Sequence, residues 1–534
     1  MTRVLSIGTD RKLFEENSPV RQRQAEYGNL FEELHIIVFS TKKLKIKSWK
    51  SKISNNVWIY PTNSSSRLFY IIDAYKIGKK IIENYKLEIE NSAKAVISAQ
   101  DPFETGLVAY LLARKFHLPF QLQIHTDFFS RYFKNSFLNR FRLPLARFLI
   151  PHAQSLRVTS HILARSLETN FHDLTTVPEV LPIFVDLEKI ASTEPSRNLR
   201  KEFHKFKNII LMVSRLSPEK RIDVALHAFK KVLDRFPETG LIIVGDGKER
   251  KNLEYLAKSL GLSNDVAFIG WQNDVISLYK SADLFLLTSE YEGYGMTLIE
   301  AGASGLAIVS TEVGIAKDKT FKDGLNCYIC PVSDVVCLSE GMFSLLSDKE
   351  KQKSFALSIQ QSLRSRALSK SQHLSQYAGM LDNLTESKIN HSRFSYAEDF
   401  IKFLAKHVIF RYLLSGGTAG LSLLFSLFVF NSILHIHYLL SAVIAFVIAF
   451  LVSFTLHRFW TFRSHEERID KQATMYLATC LIGLSLNTLL LYIFVDYFNL
   501  AVILSQIIVG LMMACISFFV SRKYIFKYRE KKTI

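Results

Sequence analysis

One segment of the chain places two carboxylates on either side of a glycine-rich turn. It follows an apolar run at Leu284–Leu287 and reads Ser289-Glu290-Tyr291-Glu292-Gly293-Tyr294-Gly295. Glycine lets the backbone approach a ligand closely, and a helix starting after the turn directs N–H groups and its positive dipole end at an anion such as phosphate. Glu292 precedes this helix and Glu300 lies about one and a half turns into it, so each can accept hydrogen bonds from a different sugar flanking a diphosphate. The candidate ligand-binding residues here are Glu292, Gly293, Gly295, Met296, Thr297 and Glu300.

Two cations follow the sixth predicted strand, in the segment Ser214-Arg215-Leu216-Ser217-Pro218-Glu219-Lys220. A guanidinium binds oxyanions through two parallel N–H groups, whereas an ammonium acts as a point charge. On a loop that enters a helix, Arg215 and Lys220 therefore suit a diphosphate. Two solvated surface charges are the alternative interpretation.

The elements that must position these residues are alternating strands and helices. Between most apolar runs of residues 1–390 lie segments with helical periodicity, such as 105–116 and 224–236. This alternation predicts an α/β fold of two doubly wound, Rossmann-like lobes with parallel sheets, joined near residues 178–186, where two prolines break the pattern. In such folds ligands bind beyond the carboxyl ends of the strands, where both motifs lie. The predicted strands are 4–7, 34–39, 95–98, 120–124, 156–159, 209–213, 241–244, 266–269, 284–287, 307–310 and 327–329.

Composition limits the class of protein. The 534 residues exceed what one hydrophobic core of roughly 250–300 residues holds, and 48% hydrophobic residues exclude a mostly disordered chain. Five cysteines argue against a disulfide scaffold and for a reducing compartment. The net charge of +18 indicates an anionic partner, namely nucleic acid, acidic lipid or a phosphorylated substrate.

Four segments near the C-terminus contain no Asp, Glu, Lys or Arg: residues 412–434, 438–456, 475–495 and 500–520. Since about 20 apolar residues cross a bilayer core as a helix, these segments predict four transmembrane helices; buried helices of a large soluble core are the alternative. Lys and Arg gather before the first span, between the second and third, and after the fourth. The positive-inside rule then places both termini and the large N-terminal part in the cytoplasm, in a multi-pass protein of the inner (plasma) membrane.

The membrane part repeats itself after 64 residues. Ser453-Phe454 with Arg458-Phe459-Trp460-Thr461-Phe462 returns as Ser517-Phe518 with Arg522-Lys523-Tyr524-Ile525-Phe526. Each unit is two helices with a basic and aromatic end, an arrangement of parallel repeats that transporters use; an interfacial aromatic belt is the alternative. Residues 405–530 resemble the GtrA-like family of four-helix membrane proteins, which is associated with moving or presenting polyprenyl-phosphate-linked sugars. The membrane-surface residues of the motif are Arg458, Trp460, Arg522 and Tyr524, although His457 stands where the family usually has Asn.

Residues 1–385 resemble the retaining GT-B glycosyltransferases of family 4. Glu292 and Glu300 match the paired Glu of that family, and Ser214 to Lys220 matches its diphosphate-binding segment. The resemblance implies that Glu300 binds the ribose of a nucleotide sugar, Glu292 the transferred hexose, and Arg215 with Lys220 the leaving diphosphate. It also implies that backbone near Ile269 borders the base and that His125, an ordinary strand-end histidine otherwise, faces the transferred sugar. The first strand–helix loop lacks the usual Gly-Gly pair and offers Arg21 and Arg23 instead.

The expected chemistry is charge relief on a departing diphosphate and stabilisation of an oxocarbenium-like sugar. In the front-face route proposed for this family, the leaving phosphate takes the proton of the acceptor. We expect no metal and no cofactor, because Arg215 and Lys220 supply the cations. Cys327 and Cys330 form a C-x2-C pair without a second pair nearby, which indicates packing rather than zinc binding.

Two segments of the N-terminal half are strongly basic. One is residues 42–52; the other, residues 128–167, mixes seven Lys and Arg with aromatic residues and contains no Asp or Glu. Basic and aromatic residues can stack on single-stranded nucleic acid. On a chain with a membrane anchor, however, they favour a surface that binds anionic lipid, with solvated charges over core aromatics as the alternative. We therefore expect anionic membrane lipids and no nucleic acid as partners.

These features predict a domain order of 1–185 for an acceptor-facing lobe, 186–390 for a nucleotide-sugar lobe, 391–404 for a linker and 405–534 for a four-helix transmembrane domain. The predicted function is transfer of a sugar from a nucleotide-sugar donor to a polyprenyl-linked acceptor at the cytoplasmic face. Two alternatives are a flippase for lipid-linked sugars with a regulatory glycosyltransferase-like domain, and a GT-B nucleotide-sugar epimerase. The sequence leaves the oligomeric state open.

Overall fold

The computed structural model describes residues 1–46, 48–84, 94–134, 136–171, 174, 176–386, 408–464, 468–498 and 502–526. The chain divides into two compact units, Met1–Ile389 and Asn390–Ile534. The predicted linker 391–404 lies outside the described residues.

The first sheet of the N-terminal unit has eight strands in the order β3-β4-β2-β1-β5-β6-β7-β8. All neighbours pair in parallel except β3 with β4. Its central strands are almost fully buried, as expected for parallel strands covered on both faces. The strands are β1 Arg3–Gly8, β2 Glu33–Val38, β3 Ser51–Ser54, β4 Val57–Pro61, β5 Ala95–Ala99, β6 Phe120–Ile124, β7 Ser155–Val158 and β8 Glu179–Val180.

The second sheet has six parallel strands in the order β11-β10-β9-β12-β13-β14. The strand order reverses between β9 and β12, which makes the carboxyl ends of these two strands the expected ligand position. The strands are β9 Asn208–Val213, β10 Thr239–Val244, β11 Val266–Gly270, β12 Leu284–Leu287, β13 Ala307–Thr311 and β14 Tyr328–Cys330.

Helices cover both sheets, so the predicted pair of Rossmann-like lobes is confirmed. They are α1 Pro19–Gly28, α2 Tyr70–Asn84, α3 Glu104–Phe116, α4 Arg131–Lys134, α5 Phe137–Leu149, α6 His161–Asn170, α7 Leu187–Ser192, α8 Leu199–Glu202, α9 Ile222–Leu233, α10 Arg250–Ser259, α11 Val275–Ser281, α12 Met296–Ala303, α13 Val335–Ser347, α14 Lys349–Arg364 and α15 Lys370–Glu386.

The last helix of this unit returns to the first sheet. Tyr377, Met380 and Leu381 of α15 pack in one apolar cluster with Val4 and Ile36 of the first lobe. The range 186–390, predicted as the second lobe, therefore contributes its final helix to the first, which a boundary drawn along the sequence does not express.

The cysteines differ from expectation at one position. Cys327 is buried and free, which fits a packing role. Cys330 instead forms a disulfide with Cys337 of α13. The interpretation of Cys330 as a packing residue alone was therefore wrong, because its partner lies outside the C-x2-C spacing.

The C-terminal unit contains α16 Val408–Phe428, α17 Tyr438–Thr455, α18 Ile469–Tyr492 and α19 Val502–Val520, and π-helical turns extend all four, up to Ile433, Thr461, Tyr497 and Ile525. These helices are long and apolar enough to cross a membrane, in agreement with the four predicted spans. The ends of α16 and α18 lie 64 residues apart, as do the starts of α17 and α19, so the sequence repeat is also a structural repeat.

The aromatic core of this unit joins the two repeats. Phe462 stacks on its repeat counterpart Phe526 with ring centroids 5.1 Å apart. Two cross-contacts are equivalent under the repeat, Phe454 with Phe526 at 5.9 Å and Phe518 with Phe462 at 6.2 Å. Equivalent residues therefore meet around a pseudo-twofold relationship.

Candidate functional site

Two loops meet at the point where the second sheet reverses its strand order. One follows β9 and carries Arg215 and Lys220; the other follows β12 and carries Glu292. The Thr288 hydroxyl donates to the Lys220 carbonyl oxygen at 3.0 Å, and the Glu290 amide donates to the Glu219 carbonyl oxygen at 2.8 Å. These bonds hold the two loops in fixed positions relative to each other at the carboxyl edge of the sheet.

Within this frame, Lys220 and Glu292 form an ion pair. Lys220 Nζ lies 2.7 Å from Glu292 Oε1, which also accepts a hydrogen bond of 2.7 Å from the Ser289 hydroxyl. The two charged side chains are only 15% and 12% exposed. Poor solvation strengthens such a pair relative to a surface salt bridge, so the ammonium is held in a defined position. Arg215 is exposed on the same loop.

The glycine turn approaches the first lobe. A Cβ on Gly293 would lie 3.1 Å from the carbonyl oxygen of His125, which follows β6. Gly295 has a φ of 101° and caps the N-terminus of α12, a conformation that residues with a side chain rarely adopt. Met296 and Thr297 are the first residues of α12. The turn therefore brings Gly293, which lies between Glu292 and the start of α12, next to the backbone of His125.

Glu300 lies further along α12 and is held by a buried tyrosine. The Tyr279 hydroxyl of α11 donates to Glu300 Oε2 at 3.2 Å. Burial raises the pKa of Glu300 above its ordinary value, and the hydrogen bond from Tyr279 opposes this increase. The Tyr279 hydroxyl therefore fixes the orientation of the Glu300 carboxyl group.

His125 is kept neutral by its surroundings. Burial lowers its pKa to about 4, and the positive charges of Arg157 and Arg23 act in the same direction. Arg157 is itself buried on β7 and donates to the Gln123 side-chain oxygen at 3.2 Å. A neutral imidazole at pH 7 can donate or accept a hydrogen bond towards a hydroxyl ligand.

In the cleft between the two lobes, the structure shows contacts that the sequence reasoning missed. Tyr132 of α4 donates to Glu219 Oε2 at 2.9 Å and stacks on Tyr291 with ring centroids 5.3 Å apart. The Tyr291 hydroxyl donates to the Asp127 carbonyl oxygen at 3.3 Å. Tyr132 belongs to the aromatic and basic segment that we interpreted as lipid-facing, and its spacing gave no sign that it faces the second lobe.

That segment is divided between several environments. Phe128, Phe129 and Phe148 are buried, and Arg142 pairs with Glu104 at 2.9 Å. Leu138 and Phe141 of α5 are exposed. Among the described residues of this segment, the exposed large apolar side chains lie on α5, which supports a membrane-facing interpretation for that helix, whereas the buried aromatics form core.

The predicted base-binding residue lies at the rim of the cleft. Ile269 is on β11 and its carbonyl oxygen accepts a hydrogen bond of 2.7 Å from the Gln272 side chain. The neighbouring Trp271 is 69% exposed, and Lys12 of the first lobe lies 5.9 Å from its ring centroid. An aromatic face is therefore open at this rim.

A cavity of about 430 Å³ lies at the joint between the lobes. Its walls come from both lobes and from the joint itself, including Thr159, Phe184, Tyr294 and Leu363. Among the residues that the structure describes, no cluster of three or more His, Cys, Asp or Glu side chains is arranged to hold a metal ion.

The four motif residues of the membrane unit occupy different environments. Arg458 is 5% exposed and donates to the Gln472 side chain. Trp460 and Arg522 are half-buried, and Tyr524 is exposed. Arg458 therefore lies inside the helical bundle and Tyr524 on its surface.

Two family models match the chain. Residues 196–361 match the model described as Glycosyl transferases group 1, and residues 411–526 match GtrA/DPMS, transmembrane domain. The chain thus contains a region that matches group 1 glycosyltransferases, within a two-lobed unit of the GT-B type, and a C-terminal region that matches GtrA-type transmembrane domains. Both predicted resemblances are confirmed at this level.

Individual relatives agree with this assignment. The chain is 30% identical over 211 residues to the N-acetyl-alpha-D-glucosaminyl L-malate synthase of Bacillus anthracis, covering 39% of this chain and 54% of that protein. It is 26% identical over 176 residues to the UDP-Gal:alpha-D-GlcNAc-diphosphoundecaprenol alpha-1,3-galactosyltransferase of Escherichia coli, covering 32% and 45%. The chain spans about half the length of these curated relatives.

A solved structure shows the same fold. The crystal structure of Anabaena Alr3699/HepE in complex with UDP superimposes with a TM-score of 0.57 at 19% identity. The match covers 72% of this chain and 100% of that chain.

Proposed function

We propose that this protein is a membrane-bound, retaining hexosyltransferase of the family 4 type. It transfers a sugar from a nucleotide-diphosphate sugar to a polyprenyl-linked acceptor at the cytoplasmic face of the inner membrane. The observation that carries this proposal is the Lys220–Glu292 pair, held where the strand order reverses and followed directly by Gly293, which approaches the His125 carbonyl oxygen of the first lobe.

The donor end of the reaction follows from the second lobe. The leaving diphosphate binds between the N-terminus of α12 and the cations Arg215 and Lys220, which offset the negative charge that develops on it. Glu300 accepts hydrogen bonds from the ribose, and Trp271 with the backbone of Ile269 borders the base. The Anabaena structure contains bound UDP, which suggests a UDP-sugar as the donor.

The transferred hexose lies between Glu292 and His125. Glu292 accepts hydrogen bonds from sugar hydroxyls, and neutral His125 bonds the opposite side of the ring. Because Glu300 is assigned to the ribose, one carboxylate remains near the sugar, whereas a glycosidase needs two that flank one bond. This favours a front-face mechanism, in which the leaving phosphate accepts the acceptor proton. Lys220 and Arg215 supply the charge relief without a metal.

The acceptor side is supported by three features of this chain and its relatives. Four apolar helices lie on the same chain, the first lobe exposes Leu138 and Phe141 on a basic helix, and one relative is named for a diphosphoundecaprenol acceptor. We infer that α5 contacts anionic lipid and that the membrane domain binds or translocates the lipid-linked sugar.

The test is a screen of nucleotide sugars against membrane lipid extract with the full-length protein, with products identified by mass. We expect one donor to give a glycosylated lipid, and Glu300→Ala and Arg215→Ala to abolish it. Lys230→Ala, an exposed cation on α9, serves as the charge-matched control for Arg215. Transfer that persists in both site variants would refute the assignment, and sugar isomerisation without acceptor would indicate an epimerase.

A further inference from the structure

The membrane unit contains a buried polar cluster, which we define as Arg411, Ser415, His457, Arg458, Thr461 and Gln472. Every member is at most 5% exposed. Charged side chains inside membrane helices are costly and usually serve a function. The cluster therefore needs an explanation beyond packing.

The members of the cluster come from three helices. The Ser415 hydroxyl of α16 lies 2.8 Å from the Thr461 hydroxyl, which lies 3.2 Å from His457 Nδ1. Arg458 donates to the Gln472 side chain at the start of α18. Gln472 in turn donates to the Ile525 carbonyl oxygen at 3.1 Å, after α19. The cluster thus lies at one end of the helical bundle, where all four helices meet.

The repeat shows that the helix pair does not require three of these six polar groups. At the positions 64 residues away, Met475 corresponds to Arg411, Ile525 to Thr461 and Val408 to Gln472. Ile525 is 2% exposed and Thr461 0%, and the aromatic core is shared by both repeats. At the other three positions the second repeat keeps polar residues, namely Thr479, Ser521 and Arg522. Three of the six polar groups therefore have apolar counterparts in the other helix pair, and Arg411 and Gln472 each occur in one repeat only.

We propose that this cluster binds the phosphate group of a membrane lipid. Two guanidinium groups can each hold an oxyanion by two N–H donors, and the His457 ring and the Ser415 and Thr461 hydroxyls lie beside them. The Gln472 amide orients the site instead, because it already donates to Ser464 and Ile525. A phosphate that enters between the helix ends brings its lipid chain into the apolar part of the unit. The inference deepens the proposed function, because a lipid-linked sugar carries such a phosphate.

The experiment measures binding to the full-length protein in lipid nanodiscs, without any sugar donor. The probes are a long-chain polyprenyl phosphate, phosphatidylglycerol and inorganic phosphate, and bound lipid is counted by native mass spectrometry. Arg411→Gln and Arg458→Gln should each weaken lipid-phosphate binding by at least about tenfold, as loss of a charge-assisted contact does. Arg458→Lys should retain part of the binding, since lysine keeps the positive charge but lacks the two parallel N–H donors of the guanidinium group.

Arg468→Gln and Lys471→Gln are the matched controls, because they remove exposed cations at the start of α18 next to Gln472. They should leave binding unchanged. Either lipid, if its binding depends on Arg411 and Arg458, supports the site, and the comparison identifies its source. Lipid binding equal in the wild type and both arginine variants, with unchanged melting temperatures, would overturn the proposal, as would binding of inorganic phosphate alone. Failure of the sugar-transfer assay would not affect this readout.

Discussion

Lys220 Nζ lies 2.7 Å from Glu292 Oε1 although the two residues are 72 positions apart in the chain. The contact joins the loop after β9 to the loop after β12, and it couples the cation proposed for the diphosphate to the carboxylate proposed for the hexose. A diphosphate that approaches Lys220 competes with Glu292 for the ammonium. Binding of the donor can therefore release the Glu292 carboxylate towards the sugar.

This coupling predicts the behaviour of Lys220→Ala. We expect sugar transfer to fall by about 10²–10³-fold in kcat, the range for loss of one preorganised electrostatic contact to a developing charge. Steady-state kinetics with the donor identified by the screen measures it. Lys230→Ala is the control, since Lys230 is an exposed lysine on α9. A kcat within twofold of the wild type would show that Lys220 does not stabilise the transition state.

A second prediction concerns the contact between lobes made by Tyr132 and Glu219. Burial raises the pKa of Tyr132 to about 12, so its hydroxyl remains a donor throughout the working pH range. Tyr132→Phe keeps the ring that stacks on Tyr291 but removes the hydrogen bond, worth about 1 kcal/mol net. The donor KM should rise by roughly fivefold, with little change in melting temperature, because the bond joins lobes rather than stabilising one core.

The double variant Tyr132→Phe with Glu219→Gln provides the control for this prediction. If the two residues act through one bond, the two effects on KM should be clearly non-additive. Strictly additive effects would show that the hydroxyl does not act through Glu219.

The fold was largely predictable because its strands are buried and parallel. Nearly continuous apolar runs bounded by turn residues gave β6 and β12 with their observed limits. The polar edge strand β3 and the short strand β8 lacked such runs and were missed, as was β4, which follows β3 after a two-residue turn. Edge strands bury less apolar surface, so hydrophobic periodicity carries little information about them.

The site was predictable where it depends on residues close in sequence. Lys220 and Glu292 were both identified, since each follows a strand, but their direct contact depends on β9 and β12 being neighbours. Tyr132 and Tyr279 could not be identified, because nothing in the spacing of an amphipathic helix states which lobe or loop its face meets. Composition likewise indicated the basic surface but not which aromatics would be buried.

The pH dependence of stability should reveal the buried state of His125. Its pKa falls from the ordinary 6.5 to about 4 on folding, so the unfolded chain binds this proton more readily between those values. Keeping His125 neutral therefore costs no stability above pH 6.5, but the free energy of unfolding decreases as pH falls from 6.5 towards 4. His125→Asn should therefore lose less stability than the wild type on acidification from pH 7 to 4.5.

Melting temperatures of the full-length protein across that range measure this difference. His161→Asn is the control, since His161 is exposed at the start of α6; it should follow the wild-type curve. Identical slopes for His125→Asn and the wild type would mean that the imidazole titrates normally in the folded protein.

The two glycines of the turn should respond differently to alanine. Gly295 has a φ of 101°, so Gly295→Ala adds backbone strain of about 1–2 kcal/mol and should lower both melting temperature and transfer. At Gly293 the added Cβ would lie 3.1 Å from the His125 carbonyl oxygen on the opposite lobe. Gly293→Ala should therefore separate the lobes slightly, reducing transfer while leaving the melting temperature near that of the wild type.

Gly261→Ala separates strain from site geometry, because Gly261 has a φ of 80° and no atom within 4 Å of an added Cβ. It should lower the melting temperature about as much as Gly295→Ala, since both force alanine into the left-handed region, but it should retain transfer. Thermal melting and transfer assays on Gly261→Ala, Gly293→Ala and Gly295→Ala distinguish the effect of backbone strain from that of site geometry. Full transfer by Gly293→Ala would show that the close approach between Gly293 and His125 is not needed for catalysis, and with it the proposed position of the hexose between Glu292 and His125 would fail.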